Sequence, residues 1–173
     1  AEWDGGRVHL ATNAQGVWVP KDQMARVFNM PADLIRVTNP DTGGGFGMKG
    51  MVYNEPFAEA QAARVVGKPV RWMGERTESM LSDNAGRDLT SVVEMAFDEN
   101  LRATAYRVRS VCNLGAYNSM FAQAIQTQLF SRVLMGVYDV QDTWLQVDGI
   151  YTNTTPVDAY RGAGRPEAIY VLE

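Results

Sequence analysis

Four glycines, Gly43, Gly44, Gly45 and Gly47, surround Phe46 and lead to Lys49. With no Cβ in the way, successive main-chain N–H groups there can approach a bulky ligand. A phosphate-binding loop is excluded. That chemistry needs Gly-Lys followed by Ser or Thr, and Gly50 follows Lys49. The glycine spacing also differs from the dinucleotide fingerprint. Alone, such a run is more often a structural turn than a binding loop. The second candidate is Ala159-Tyr160-Arg161-Gly162-Ala163-Gly164-Arg165-Pro166. Its two arginines flank a flexible turn that could hold an anion, or could be braced by ion pairs to Glu167 or Asp158. Gln15 alone carries no information, since most glutamines are solvated surface groups. His9 has no neighbour in sequence that suggests catalysis.

These segments need elements to position them. Arg7 to Thr12 reads as a strand, and Val19 to Asn29 as a helix with Pro20 in its first turn, where a missing N–H costs little. Leu34 to Val37 is a short strand feeding the glycine run. A second helix follows: Asn54 is its expected cap, Ala60, Ala63 and Val66 its apolar stripe, and Gly67 its end. Val70 to Met73 reads as another strand. Ser91 to Phe97 and Leu101 to Val111 flank Asp98-Glu99-Asn100 as a hairpin. Phe121, Ile125, Leu129 and Val133 recur every four residues, which predicts an amphipathic helix closed by Gly136. Trp144 to Tyr151 is a last strand before the arginine motif. Strands and helices mix without strict βαβ alternation, so the expected class is α+β, with two sub-lobes each pairing strands with helices.

Composition narrows the function. Of 173 residues, 46% are hydrophobic and 21% charged, and the net charge is −4, which supports neither a nucleic-acid nor an anionic-membrane partner. One Cys and one His cannot build a zinc or iron–sulfur site or a disulfide framework. Cys112 reads as a small buried strand residue, the methionines as core filler, and the lone cysteine suits a reducing, cytoplasmic setting. No apolar run is long enough to span a bilayer. Both ends read as cut, so residues 1–173 are expected to be a piece of a longer chain.

The order of these features resembles one family. A glutamine, a helix, a short strand, Gly-Gly-Gly-Phe-Gly-x-Lys, and much later Ala-Tyr-Arg-Gly-x-Gly-Arg-Pro is the order found in molybdenum hydroxylase large subunits, the xanthine dehydrogenase and aldehyde oxidase family. The resemblance covers the chain from about Val8 onward and includes Arg71-Trp72-Met73-x-Glu75-Arg76. It is nearest to bacterial proteins described as carbon monoxide dehydrogenase large subunits or aldehyde and isoquinoline oxidoreductases. It implies that residues 1–173 are the N-terminal lobe of a molybdopterin cofactor-binding domain, with the flanking domains outside the segment.

By that resemblance Gln15 donates a hydrogen bond to an oxygen ligand of the molybdenum. Gly44, Gly45, Phe46 and Gly47 lie against the metal centre, with Phe46 beside the substrate channel, and Arg161 and Gly162 lie near the pterin. The cofactor implied is molybdopterin carrying molybdenum, in its cytosine dinucleotide form. The reaction implied is hydroxylation of an electron-poor carbon with oxygen from water. Electrons would leave through [2Fe-2S] clusters and FAD on an iron–sulfur small subunit and an FAD-binding medium subunit, or on equivalent domains. No residue of this chain is an expected direct metal ligand. The family's general-base glutamate lies downstream; Glu167 and Glu173 do not match it, so no catalytic residue is assigned here and the segment alone is expected to be inactive. The alternative is a non-catalytic paralogue serving as an assembly or cofactor-chaperone module.

Departures from the family restrict the substrate. Copper–molybdenum carbon monoxide dehydrogenases carry Cys where Gly162 stands. Xanthine enzymes carry Glu at the place of Gly50 and Arg at the place of Leu129. The losses favour an aldehyde or a neutral N-heterocycle, with Phe46, Gly50 and Leu129 lining its pocket.

Overall fold

The computed structural model describes all 173 residues. They form two units, Ala1–Leu81 and Ser82–Glu173, each built on a three-stranded sheet with helices. The expected α+β class is the class found.

In the first unit β1 (Glu2–Asp4) and β2 (Arg7–Ala11) form an antiparallel hairpin. Gly5 and Gly6 turn it at φ of 53° and 84°, a region that suits glycine. β1 was not legible in the sequence, being only three residues long. β3 (Ile35–Thr38) then pairs parallel to β2. A parallel neighbour requires a crossover, and α1 (Trp18–Val27) supplies it. Alternation along β2 buries Val8 and Leu10, which pack with Met24, Ile35 and Ala60. The last residue comes from α2 (Glu55–Val66), which stops at left-handed Gly67. Asn54 sits at its N-cap but its side chain makes no capping bond; its carbonyl accepts the amides of Phe57 and Ala58 instead. Val66 is 57% exposed, so only Ala60 and Ala63 form the buried stripe. The expected strand at Val70 to Met73 is absent. Val70 exchanges main-chain hydrogen bonds with Ala1 alone, which leaves no edge for the following residues to pair with. A short helix, α3 (Arg76–Ser82), follows.

In the second unit β4 (Leu89–Phe97) and β5 (Ala103–Gly115) form the expected hairpin. Asp98 closes its turn by accepting the amides of Asn100 and Arg102 at 2.9 and 2.8 Å. β6 (Asp142–Tyr151) pairs parallel to β5. Tyr106, Val108, Phe130, Leu134 and Ala168 form one buried cluster, and Cys112, Leu114, Ala122 and Val157 another. The connection between β5 and β6 differs from the regular amphipathic helix read from the sequence. α4 (Ala122–Ala124) runs into a π-helix, Ile125–Leu129. The wider π turn carries one extra residue and rotates those after it. The buried set is Ala122, Ile125, Gln126, Phe130 and Leu134, while Phe121 is 38% exposed. A final helix, α5 (Arg165–Leu172), contains the apolar run at the end of the chain.

Both units follow one plan: antiparallel hairpin, helical crossover, parallel third strand, loop, helix. The glycine run lies in the loop from β3 to α2. The arginine motif lies in the loop from β6 to α5, the corresponding connection.

Candidate functional site

The glycine loop is held in shape by its own polar groups. Asn39 and Ala14 exchange two hydrogen bonds, with the Ala14 amide donating to Oδ1 at 3.1 Å and Nδ2 donating to the Ala14 carbonyl at 2.7 Å. Thr42 donates to Asn39 Oδ1 at 2.9 Å, and Asn13 Nδ2 to the Asp41 carbonyl at 2.8 Å. Lys49 Nζ donates to the Thr42 carbonyl at 2.6 Å, so its amine closes the loop. The Gln15 amide donates to the Lys49 carbonyl at 2.8 Å.

Gln15 lies across this loop. Its Oε1 accepts the Gly47 amide at 2.8 Å. A main-chain N–H can meet only the carbonyl end of a side-chain amide, which fixes the orientation and leaves Nε2 as the side chain's donor. A Cβ on Gly45 would lie 2.3 Å from Cγ and Oε1 of Gln15, so the side chain occupies the space that glycine leaves. A Cβ on Gly50 would stand 3.7 Å from Nε2, an ordinary contact. Gly44 and Gly47 take φ of 102° and 97°, and Phe46 itself sits at 55°. A positive φ is uncommon for a bulky residue and marks local strain. The Phe46 ring folds over Gly44, where a Cβ would meet it at 2.6 Å, and Phe46 stays 54% exposed. Gln15, Gly44, Gly45, Phe46, Gly47 and Gly50 are thus brought together as one patch.

The arginine loop is shaped differently. Gly162, Ala163 and Gly164 have φ of 94°, 36° and 87°. A Cβ on Gly164 would lie 2.8 Å from the Phe130 nitrogen, 2.9 Å from the Ile125 carbonyl oxygen and 3.0 Å from the Leu129 carbonyl carbon. The loop therefore rests on the backbone of the π-helix, and Leu129 is its neighbour. The expected bracing of the arginines by Glu167 or Asp158 is not the arrangement found for those carboxylates. Glu167 Oε1 lies 3.2 Å from Nε of Arg87. Buried Asp158 accepts the amides of Met120 at 2.8 Å, Phe121 at 3.2 Å and Ala159 at 2.6 Å. Arg165 Nη1 donates to the Gly162 carbonyl at 3.1 Å. Arg87 donates from Nη2 to the carbonyl of Arg161 and, at 3.4 Å, of Tyr160. Its guanidinium also stacks over the Tyr160 ring at 5.1 Å.

Arg87, Asn39 and Gln126 escaped the sequence reading, and Asp158 was expected in a different role, as an ion-pair partner of the arginines. Arg87 lies 74 positions from Arg161 and belongs to no motif. Asp158 directly precedes the arginine motif, a usable signal, but its acceptors serve amides 37 and 38 positions away. Gln126 is 2% exposed with no partner for Oε1, and as a polar residue beside the apolar stripe it gave no sign of burial. Cys112 is buried, and burial, with the Asp88 and Glu167 charges adding to it, pushes its thiol up to about 11.

Residues 1–173 match the family model of the molybdopterin cofactor-binding domain. Subunit gamma of the 6-hydroxypseudooxynicotine dehydrogenase complex of Paenarthrobacter nicotinovorans is 31% identical over 97% of this chain and 20% of its own length. The carbon monoxide dehydrogenase large chain of Afipia carboxidovorans is 30% identical over 97% of this chain and 21% of its own. The crystal structure of quinoline 2-oxidoreductase from Pseudomonas putida 86 superposes with a TM-score of 0.88 at 32% identity, covering 94% of this chain and 21% of that one. The chain therefore spans about one fifth of the length of the relatives it matches.

Proposed function

This chain belongs to the molybdopterin cofactor-binding domain family, and from that premise we propose that it supplies the glycine and arginine loops of a molybdenum hydroxylase large subunit. The observation that carries the proposal is Gln15. Its carbonyl is committed to the Gly47 amide at 2.8 Å, and its NH2 is left as a donor on the side of Gly50, which carries no side chain. The residues fit the cofactor. A neutral amide can donate to an oxygen ligand of a metal without becoming a ligand itself, which leaves the metal's own coordination intact. When bound, the molybdenum centre supplies the oxidation that places oxygen from water on carbon.

In this reading Gln15 orients the metal's oxygen ligand. Gly44, Gly45 and Gly47 let the loop approach closely, and half-exposed Phe46 forms an apolar wall for the substrate. Arg161 and Gly162 present cationic and main-chain donors to the pterin, in its cytosine dinucleotide form. The substrate is an aldehyde or a neutral N-heterocycle, and Gly50 in the first unit and Leu129 in the second are each taken, within its own unit, as a substrate-facing position. The general base lies outside this segment. Electrons pass to [2Fe-2S] and FAD partners, and the complex is cytoplasmic. Subunit gamma of a dehydrogenase complex among the relatives supports a multi-subunit assembly.

The test is metal and pterin analysis of the full-length protein from its native host. Molybdenum near one per subunit, with cytidine monophosphate released on acid hydrolysis, is the expected result. A protein free of both would instead favour the assembly or chaperone role.

A further inference from the structure

Arg87 contacts the arginine loop at several points, and no motif contains it. Its Nη2 reaches the Tyr160 and Arg161 carbonyls, and its plane stacks on Tyr160. Its Nε stands 3.2 Å from Glu167 Oε1, close enough for an ion pair though not aligned as a hydrogen bond. Both partners are shielded, with side chains 27% and 7% exposed. The second Glu167 oxygen, Oε2, is buried with no partner. A carboxylate held this way is costly unless its cation stays in place. Glu167 also lies in the first turn of α5, directly after the loop. Arg87 therefore ties the loop's entrance, at Tyr160 and Arg161, to the helix at its exit.

We propose that Arg87, anchored by Glu167, is a positioning residue that holds the Tyr160–Gly164 turn in the shape that presents Arg161 and Gly162 to the cofactor. The inference rests on the functional reading above in naming the cofactor, but the clamp itself rests on contacts within the second unit. The requirement is for a planar fork. A lysine keeps the charge but offers one compact ammonium that cannot meet the carboxylate, the two carbonyls and the aromatic face together. The interior of the turn, at φ of 94°, 36° and 87°, is held by the Ala163 and Arg165 amides and by Arg165 Nη1, and Arg87 adds the tie that joins its entrance to the following helix.

The test compares wild type, Arg87→Lys and Glu167→Gln in the full-length protein with its partner subunits. Two readouts are followed: hydrogen exchange of peptides covering 159–164, and release of molybdenum and pterin on dialysis. Arg87→Lys should speed exchange of that peptide about tenfold, leave the β4 to β6 peptides unchanged, and speed cofactor release about 10- to 100-fold, the usual effect of losing an outer support. The electron paramagnetic resonance spectrum of the bound molybdenum should change as well. Glu167→Gln should act in the same direction, and it decides the matter if the lysine variant fails to fold. Unchanged exchange at 159–164, or a rise spread evenly over the whole unit, overturns the clamp. Wild-type protein that holds no molybdenum counts against the functional reading alone, and the exchange measurement still decides the clamp.

Discussion

Gly45 and Gln15 are packed so closely that a Cβ on the glycine would lie 2.3 Å from the glutamine's Oε1. That oxygen is also the acceptor for the Gly47 amide at 2.8 Å. The glycine run therefore serves the glutamine as much as any ligand: one glycine makes room for its side chain and another orients it. Gly45→Ala should displace Gln15 and break its bond to Gly47. In the full-length enzyme it should lower turnover at least as much as Gln15→Ala. A Gly45→Ala enzyme with wild-type kcat would show that the packing has no functional consequence.

Gln15→Ala removes the donor and leaves the loop's other ties, those of Asn39, Thr42 and Lys49, in place. Most of the cofactor should stay bound while the reductive half-reaction slows about 10- to 100-fold, as for the loss of one supporting hydrogen bond. Rapid-mixing kinetics with molybdenum analysis of the same sample separates the two effects. An unchanged rate constant at full occupancy removes Gln15 from the mechanism.

The two loops and most of the elements beside them were legible because their signals are local: glycines, proline in a first turn, alternation in β2 and β5. What stayed hidden was set by distance or by irregular geometry. β1 is too short to show a period. In the helix around the π turn Ile125–Leu129 the four-residue stripe is offset from the buried face: of its members only Ile125 is buried, and Ala122, Gln126, Phe130 and Leu134 complete the set. Arg87 acts on a loop 73 and 74 positions away, and no local pattern records that.

Gly164 offers a stability test of the π-helix contact. A methyl there would meet backbone atoms of Phe130 and Ile125 at 2.8 and 2.9 Å, at a φ of 87°. Backbone yields less readily than side chains. Overpacking costs about 1–3 kcal/mol and the left-handed conformation about 1–2 kcal/mol more. Gly164→Ala should lower the Tm of the cofactor-free protein by several degrees, whereas Gly43→Ala, with φ of 63° but open space around it, should cost less. Equal Tm values for the two variants would contradict the packing.

Cys112 should behave as an inert thiol. Its value of about 11 lies above the ordinary 9.0 because burial, and then Asp88 and Glu167, disfavour the thiolate. The folded protein therefore prefers the neutral thiol. That preference costs nothing below pH 9 and is lost as pH rises from 9 toward 11. At pH 8 iodoacetamide should label Cys112 only after unfolding. Between pH 9 and 11 wild type should lose stability more steeply than Cys112→Ala. Rapid labelling of native protein at pH 8, or parallel stability curves, would refute this.

The proposed substrate class is tested at Gly50. A Cβ there would stand 3.7 Å from Nε2 of Gln15, so any side chain at this position projects beside the amide assigned to the metal. Gly50 places nothing there, and half-buried Leu129, beside the arginine loop, brings no guanidinium. Beside either residue a purine's polar edge would go unpaired, at about 1–3 kcal/mol for each buried group. Two such losses amount to about 30- to 25,000-fold in kcat/KM if they add. The full-length complex should therefore prefer benzaldehyde or isoquinoline to xanthine, and Gly162 offers no sulfur to hold copper for carbon monoxide. Gly50 is not held at a positive φ, so a side chain fits without strain. Gly50→Glu should fold normally and raise kcat/KM for xanthine about tenfold relative to benzaldehyde. Steady-state kinetics on the four substrates with wild type and Gly50→Glu decides it. Xanthine or carbon monoxide as the best wild-type substrate by tenfold would overturn the substrate reading and leave the family assignment in place.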